Sequence, residues 1–146
     1  MKVVAENKRA RFEYELLDTY EAGIVLTGDE IKSVRLGHFS IVDCYGFIKD
    51  DECFLRNSYI KEYSNSFDAG RFGDTTRRDR KLLLHKEEIL KIKKKLETEH
   101  LTLVPTKSYF DGSNLKVEIA VARGKKLYDK RESLKKKDVE KRLRNL

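Results

Sequence analysis

The chain has no tryptophan, only two cysteines, and no run approaching the roughly 18 consecutive apolar residues that cross a bilayer. It opens Met1-Lys2-Val3-Val4-Ala5-Glu6, without the apolar stretch of a secretory signal, so a cytoplasmic protein with reduced thiols and no membrane partner is expected. Cys44 and Cys53 stand nine apart with no CxxC and no histidine beside them, which argues against a four-ligand zinc site and for buried or edge thiols. P-loop, GxGxxG and HExxH patterns are missing, as are internal repeats and low-complexity stretches. His38, His85 and His100 fall in no catalytic motif with a serine or cysteine nucleophile. Asp50, Asp51 and Glu52 form an acidic triplet that a nuclease could use for a divalent ion, but a solvent-facing turn explains it more simply. No catalytic residue, cofactor or metal site is therefore expected, and the chain is not expected to be an enzyme.

What is present is charge, placed unevenly. The chain of 146 residues carries a net +7, and residues 123–146 alone hold eleven Lys and Arg against four Asp and Glu. The preceding 122 residues are balanced at twenty-one of each sign, so the whole excess sits in a basic tail. Cations concentrated in this way bind a polyanion by releasing its counterions, and nucleic acid is the commonest polyanion in a cell. The alternative is a solvated end that only aids solubility. Arg123-Gly124-Lys125-Lys126-Leu127-Tyr128-Asp129-Lys130-Arg131 sets one aromatic among its cations, the pairing that stacks on a base while neutralising phosphates. Glu132/Lys136, Asp138/Arg142 and Glu140/Arg144 are acid-before-base pairs four apart, worth about 1 kcal/mol together on a helix. Such a short segment is marginal alone, so a tail that becomes helical only when bound is expected.

Ahead of the tail the pattern is mainly β. Three cations within Asn7 to Arg11 form a short basic lead, and strands are predicted over about Phe12 to Leu16, Tyr20 to Leu26, Ser40 to Ile48, Cys53 to Tyr59, Leu101 to Phe110 and Leu115 to Ala122. Thr27-Gly28-Asp29-Glu30 has the S/T-x-x-E capping pattern and opens a helix of about nine residues that Gly37 stops. Arg80-Lys81-Leu82-Leu83-Leu84-His85 leads into a long helix over Lys86 to His100, with Ile89, Ile92 and Leu96 on one face and Lys91, Lys93, Lys94 and Lys95 on a charged face. Residues 64–79 read as a surface loop whose Arg71, Arg77 and Arg78, with Arg80, form a second candidate RNA contact or a solvated, charge-balanced loop. Six short strands in a small chain predict a small antiparallel OB-like barrel with inserted helices over residues 1–122, followed by the tail over 123–146.

Five ordered motifs carry a family resemblance: Asn-Lys-Arg-Ala-Arg-Phe-Glu-Tyr at 7–14, Tyr-Glu-Ala-Gly-Ile-Val-Leu-Thr-Gly at 20–28, Glu-Ile-Lys-Ser at 30–33, Arg-Lys-Leu-Leu-Leu-His at 80–85 and Gly-Lys-Lys-Leu-Tyr-Asp-Lys-Arg at 124–131. Along nearly its whole length the chain resembles the SmpB family, the SsrA-binding proteins of bacterial trans-translation. The resemblance implies an OB-type barrel that binds the tRNA-like domain of transfer-messenger RNA (tmRNA) and accompanies it to stalled ribosomes, where the unfinished chain is tagged for proteolysis. It places RNA recognition on Asn7, Tyr14, Glu21, Leu83 and Lys116, supported by the basic Lys8, Arg9, Arg11, Arg80 and Lys81. A carboxylate such as Glu21 fits that role because it accepts hydrogen bonds from base amino groups or a 2′-hydroxyl. Other placements stay open: a cross-strand pair with a lysine for Glu21, core burial for Leu83, a solubilising charge for Lys116.

For the tail the resemblance implies entry into the vacant mRNA channel and decoding centre of the small subunit. There Arg123, Lys125, Lys126, Asp129, Lys130 and Arg131 would meet ribosomal RNA and Tyr128 would stack on a base. Contact with the elongation factor EF-Tu and alanyl-tRNA synthetase would run through the RNA, with the protein a monomer. The competing classes are a basic-tailed structural ribosomal protein and a small nuclease. One departure from the family pattern is Gly73-Asp74-Thr75-Thr76-Arg77-Arg78, where an Asn-His-Asp-Pro-like run is usual.

Overall fold

The computed structural model describes residues 2–64 and 73–125. In chain order the elements are β1 (Lys2–Glu6), α1 (Lys8–Glu13), β2 (Tyr14–Ile24), α2 (Gly28–Arg35), β3 (Phe39–Ser40), β4 (Tyr45–Lys49), β5 (Glu52–Arg56), β6 (Tyr59–Ile60), β7 (Arg80–Leu83), α3 (Lys86–Thr98), β8 (Thr102–Asp111) and β9 (Asn114–Gly124). The main sheet runs β1-β8-β4-β5-β7-β2-β9, and β9 pairs back onto β8, so six antiparallel strands form a closed ring with β1 added on β8. The small pair β3 and β6 stands apart from it. Among the described residues no helix is long and apolar enough to cross a membrane.

Alternation decides which side of each strand is buried. On β9, Val117, Ile119 and Val121 point inward and are fully buried, joined by Ala22, Leu55, Leu82 and Leu103 from the other ring strands. Val34 of α2 and Ile92 of α3 enter the same core. Each such valine, leucine or isoleucine contributes about 1.5–3 kcal/mol. The ring closes at a narrow seam where β4 meets β8 through a single register pair, Gly46 opposite Leu103. A Cβ on Gly46 would lie 2.5 Å from Leu103 Cδ2, so the missing side chain is what lets the two strands meet.

The capping box at Thr27 is present as expected: its hydroxyl accepts from the Glu30 N–H at 3.2 Å and Glu30 accepts from the Thr27 N–H at 2.9 Å. Gly37 follows α2 at φ +86, a conformation that favours glycine. The acidic tip is a two-residue turn in which Asp50 and Asp51 both have positive φ, the twist that suits a tight hairpin. Two of its acids are engaged with lysines: Lys93 Nζ lies 3.2 Å from Asp51 and Lys81 Nζ 3.3 Å from Glu52. Cys44 and Cys53 are buried free thiols, and burial pushes them up to about 12 and about 11 respectively.

Several expectations need correction. Residues 8–13 form a helix rather than a basic lead running into a strand. Ala10 packs there against Ala120 and Ala122, whose small side chains let a helix lie on the sheet. The strands expected at about 12–16 and 20–26 are one strand, β2, with a bulge between Leu16 and Asp18 that resets the alternation. Asp43, at φ +62, separates β3 from β4 where one strand was expected. Residues 80–83 are a ring strand, β7, bridging β5 and β2.

The correction that matters most for function concerns Arg80. Its side chain is fully buried, and its guanidinium donates to Glu30 Oε2 (2.9 Å), to Ser58 O and Oγ (2.8 Å each), and to the carbonyls of Thr75 (3.2 Å) and Thr76 (3.1 Å). Arg78 binds the same carboxylate, its Nε 3.2 Å from Glu30 Oε2. Arg80 is thus an internal tie, with no donor left for RNA. It also pins part of the segment in which the chain departs from the family pattern.

Candidate nucleic-acid interface

The outward faces of β2 and β9 form one surface whose two halves differ. Over one half Ala120 and Ala122 are outward yet fully buried, because α1 and the side chains of Tyr14, Leu16 and Val104 cover them. Over the other half, Glu21 and Gly23 of β2 lie opposite Glu118 and Lys116 of β9, and none of the described elements covers them. Leu83 of β7 pairs with Gly23 on one side, and Tyr109 of β8 pairs with Lys116 on the other. One row of the open half therefore reads Leu83, Gly23, Lys116, Tyr109, and the next reads Glu21, Glu118, Lys107.

Glu21, Leu83 and Lys116, taken from three separate stretches of sequence, thus meet on one face. Leu83 is 52% exposed while its neighbour Leu82 is 1% exposed, so core burial falls to Leu82 and the open alternative for Leu83 is closed. The residue facing Glu21 across the ladder is the acid Glu118, and not a lysine. Glu21 is held instead by the Tyr109 hydroxyl, which donates to its Oε2. Burial, then Glu21, push the Tyr109 hydroxyl up to about 12, so it stays a donor at neutral pH. Thr106 Oγ1 donates likewise to Glu118 Oε2. Lys116 makes no ion pair among the described residues, leaving its ammonium free for a phosphate.

At the edge of this half, β1, α1 and β8 enclose a groove of about 460 Å³ lined by Glu6, Asn7, Lys8, Arg11, Thr106, Lys107 and Glu118. Asn7 itself is buried: its N–H donates to Thr106 O at 2.8 Å and its Nδ2 to Pro105 O at 3.0 Å, fixing the start of α1 on β8. Lys8 and Arg11 are exposed on the groove, whereas Arg9 turns toward Glu13 (3.3 Å) and Asp43 (3.8 Å). Tyr14 is half-buried against the α1 cluster, and Lys81 lies over Glu52. Beyond β9, Arg123 sits 3.9 Å from Glu15, and Lys125 donates from its backbone to Glu13 O and from Nζ to Arg11 O, both at 3.0 Å. Lys126, Tyr128, Asp129, Lys130 and Arg131 lie outside the described residues, as does Arg71. Of the other loop arginines, Arg77 lies over the Tyr59 ring at 5.1 Å.

Sequence reasoning missed Gly23 and Tyr109. The bulge between Pro105 and Lys107 shifts the parity of β8, which conceals that Tyr109 shares a face with Lys116. A glycine amid an outward-alternating strand was the available signal for Gly23. Chemically the open half offers cations for phosphates, an oriented carboxylate for donors and an apolar wall, a mixture suited to folded RNA read by shape and 2′-hydroxyls.

Known proteins match the chain over almost its full length. The family model described as SmpB protein matches residues 4–146. An SsrA-binding protein of Trichodesmium erythraeum is 47% identical over 137 residues, covering 94% of this chain and 86% of its own length. One from Mesorhizobium japonicum is 51% identical over 138 residues, with 94% and 85% covered. A solved chain from "tmRNA-SmpB: a journey to the center of the bacterial ribosome" is 43% identical and superposes with a TM-score of 0.70 over 92% of this chain and 95% of that one. The chain belongs to the SmpB family.

Proposed function

We propose that this protein is an RNA-binding adaptor of trans-translation, which binds the tRNA-like domain of tmRNA and delivers it to stalled ribosomes. The observation that carries the reading is the meeting of Glu21, Leu83 and Lys116 on the half-face that α1 leaves open. Membership of the SmpB family supports it, as do the SsrA-binding relatives and the tmRNA-SmpB structural neighbour. Lys116, Lys8 and Arg11 take phosphates, Glu21 accepts from a base amino group or a 2′-hydroxyl, and Leu83 packs on a sugar or base face. Arg80 acts from inside the fold, and Asn7 by fixing α1.

Residues 1–122 are the RNA-binding unit, and residues 123–146 engage the ribosome. Lys125, Lys126, Lys130 and Arg131 neutralise ribosomal phosphates in the vacant mRNA channel and decoding centre, with Tyr128 stacked on a base. The protein performs no chemistry of its own. It works in the cytoplasm as a monomer and meets EF-Tu and alanyl-tRNA synthetase through the RNA. Titration of labelled tRNA-like domain against bulk tRNA tests the first step, and equal affinity for the two overturns it. Truncation after Gly124 leaves that affinity intact and abolishes peptide tagging; tagging that survives the truncation removes the tail from the mechanism.

A further inference from the structure

Gly23 is the penultimate residue of β2 and is paired on both sides, with Leu83 of β7 and Lys116 of β9; glycine at a paired strand position costs about 0.5–1 kcal/mol relative to alanine. Two structural reasons commonly excuse such a glycine, and neither holds here. Its φ does not fall in the left-handed region, unlike those of Gly37, Gly73 and Gly112. Nor is it crowded like Gly46: the three atoms nearest an added Cβ all belong to the Leu83 side chain, with Cβ at 3.4 Å and Cδ1 at 3.6 Å, which is ordinary contact. The fold would accept an alanine. What the missing side chain leaves is a flat floor in the open half-face, walled by exposed Leu83, with the Lys116 ammonium, unpaired among the described residues, on the other side and Glu21 two residues before it on the same strand face. No bulge falls at Gly23, since the register shift of β2 lies between Leu16 and Asp18, and a glycine at a paired strand position outside a bulge is one mark of close approach from outside.

We infer that Gly23 is a binding determinant: RNA backbone packs directly on its main chain, a ribose against Leu83, its phosphate toward Lys116 and its 2′-hydroxyl toward Glu21. The inference rests on the adaptor reading and sharpens it. The charge of the floor fits that occupant, since Lys116 supplies the cation and Glu21 Oε1 has no hydrogen-bond partner among the described residues while Tyr109 occupies Oε2. A protein partner recognised by apolar contact would gain nothing from a carboxylate and an ammonium flanking a bare backbone.

The test is Gly23→Ala in the full chain, read by thermal unfolding and by titration with the isolated tRNA-like domain. The variant unfolds at the same or a higher temperature and binds about tenfold more weakly, the cost of one methyl forced into a close-packed contact. Its salt dependence matches the wild type, because no charge has been removed. A second pair, Leu83→Ala with and without Gly23→Ala, removes the side chain nearest the new methyl. The tenfold loss persists in that background if RNA fills the space, and vanishes if it was transmitted through Leu83. Unchanged affinity in Gly23→Ala overturns the inference while leaving the adaptor reading intact. Failure of the wild type to prefer the tRNA-like domain overturns both.

Discussion

The Tyr109 hydroxyl reaches across β9 to donate to Glu21 Oε2, joining two residues 88 apart in the chain. The main core cluster is built from the opposite side of the same strands, although the Tyr109 ring is itself buried. The bond orients a carboxylate on an exposed face and leaves its second oxygen for a partner. Tyr109→Phe therefore costs about 1 kcal/mol of stability or less, since water replaces the hydroxyl at an exposed acid. RNA affinity falls about fivefold as the carboxylate loses its fixed orientation. An affinity equal to wild type would show that Glu21 needs no orienting partner. Because the folded-state value of Tyr109 is raised from 10.0 to about 12, its contribution to stability is complete below the unfolded value and is lost as pH climbs through that window, which alkaline denaturation series on wild type and Tyr109→Phe can separate.

Arg80→Ala is expected to cost about 3–5 kcal/mol, because it strands the largely buried Glu30 with one cation instead of two. Arg80→Lys does little better, since an ammonium cannot serve Glu30, Ser58, Thr75 and Thr76 at once. Burial pushes Glu30 up, but hydrogen bonds from Arg78 and the Thr27 N–H, with the charge of Arg80, outweigh it and hold the carboxyl below its ordinary value of 4.5. A depressed carboxyl stabilises the fold above its unfolded value and ceases to do so as pH falls through the folded one. The gap in denaturant midpoint between wild type and Arg80→Ala should accordingly narrow below about pH 4.5. A gap that is constant with pH would mean that the arginine acts by packing alone.

Gly46→Ala places a methyl 2.5 Å from Leu103 Cδ2 at the only β4–β8 register pair. Opening that seam costs about 1–3 kcal/mol. Combining it with Leu103→Ala should recover part of the loss, giving a favourable coupling in a double-mutant cycle of urea midpoints. Strict additivity would place the strain elsewhere.

Adjacent leucines on β7 should behave oppositely. Leu82→Ala removes a fully buried core side chain and costs about 2–5 kcal/mol. Leu83→Ala, at 52% exposure, leaves stability within about 0.5 kcal/mol yet weakens binding to the tRNA-like domain. A destabilised Leu83→Ala that binds RNA normally would return this residue to a packing role.

Local chemistry was readable from the residues, and long-range partnership was not. The Thr27 and Glu30 signals define α2, and the turn at Asp50 and Asp51 defines the β4–β5 hairpin, because both depend on neighbours within four positions. The expected number of ring strands, six, is met by different members: the stretch divided at residues 17–19 is the single strand β2, and Arg80–Leu83 supplies the missing one. A bulge explains the first error. The second arose because Arg80 looks like a surface cation until Glu30, fifty residues earlier, is seen beside it. Glu21, Leu83 and Lys116 were identified by resemblance, but their common face depends on ladder registers that no local pattern encodes.

The ring has a consequence for its own biosynthesis. β9 provides two of the six seams, with Tyr14 opposite Gly124 at one and Thr102 opposite Ala122 at the other. Nothing earlier in the chain can stand in for it. A nascent polypeptide halted before Leu115 would hold β2 and β8 with their inner apolar edges open to water, so closure is deferred until β9 has been translated. Such distant pairings are slow to form, and the exposed intermediate is the stage at which chaperones or proteases would have the longest access to this protein.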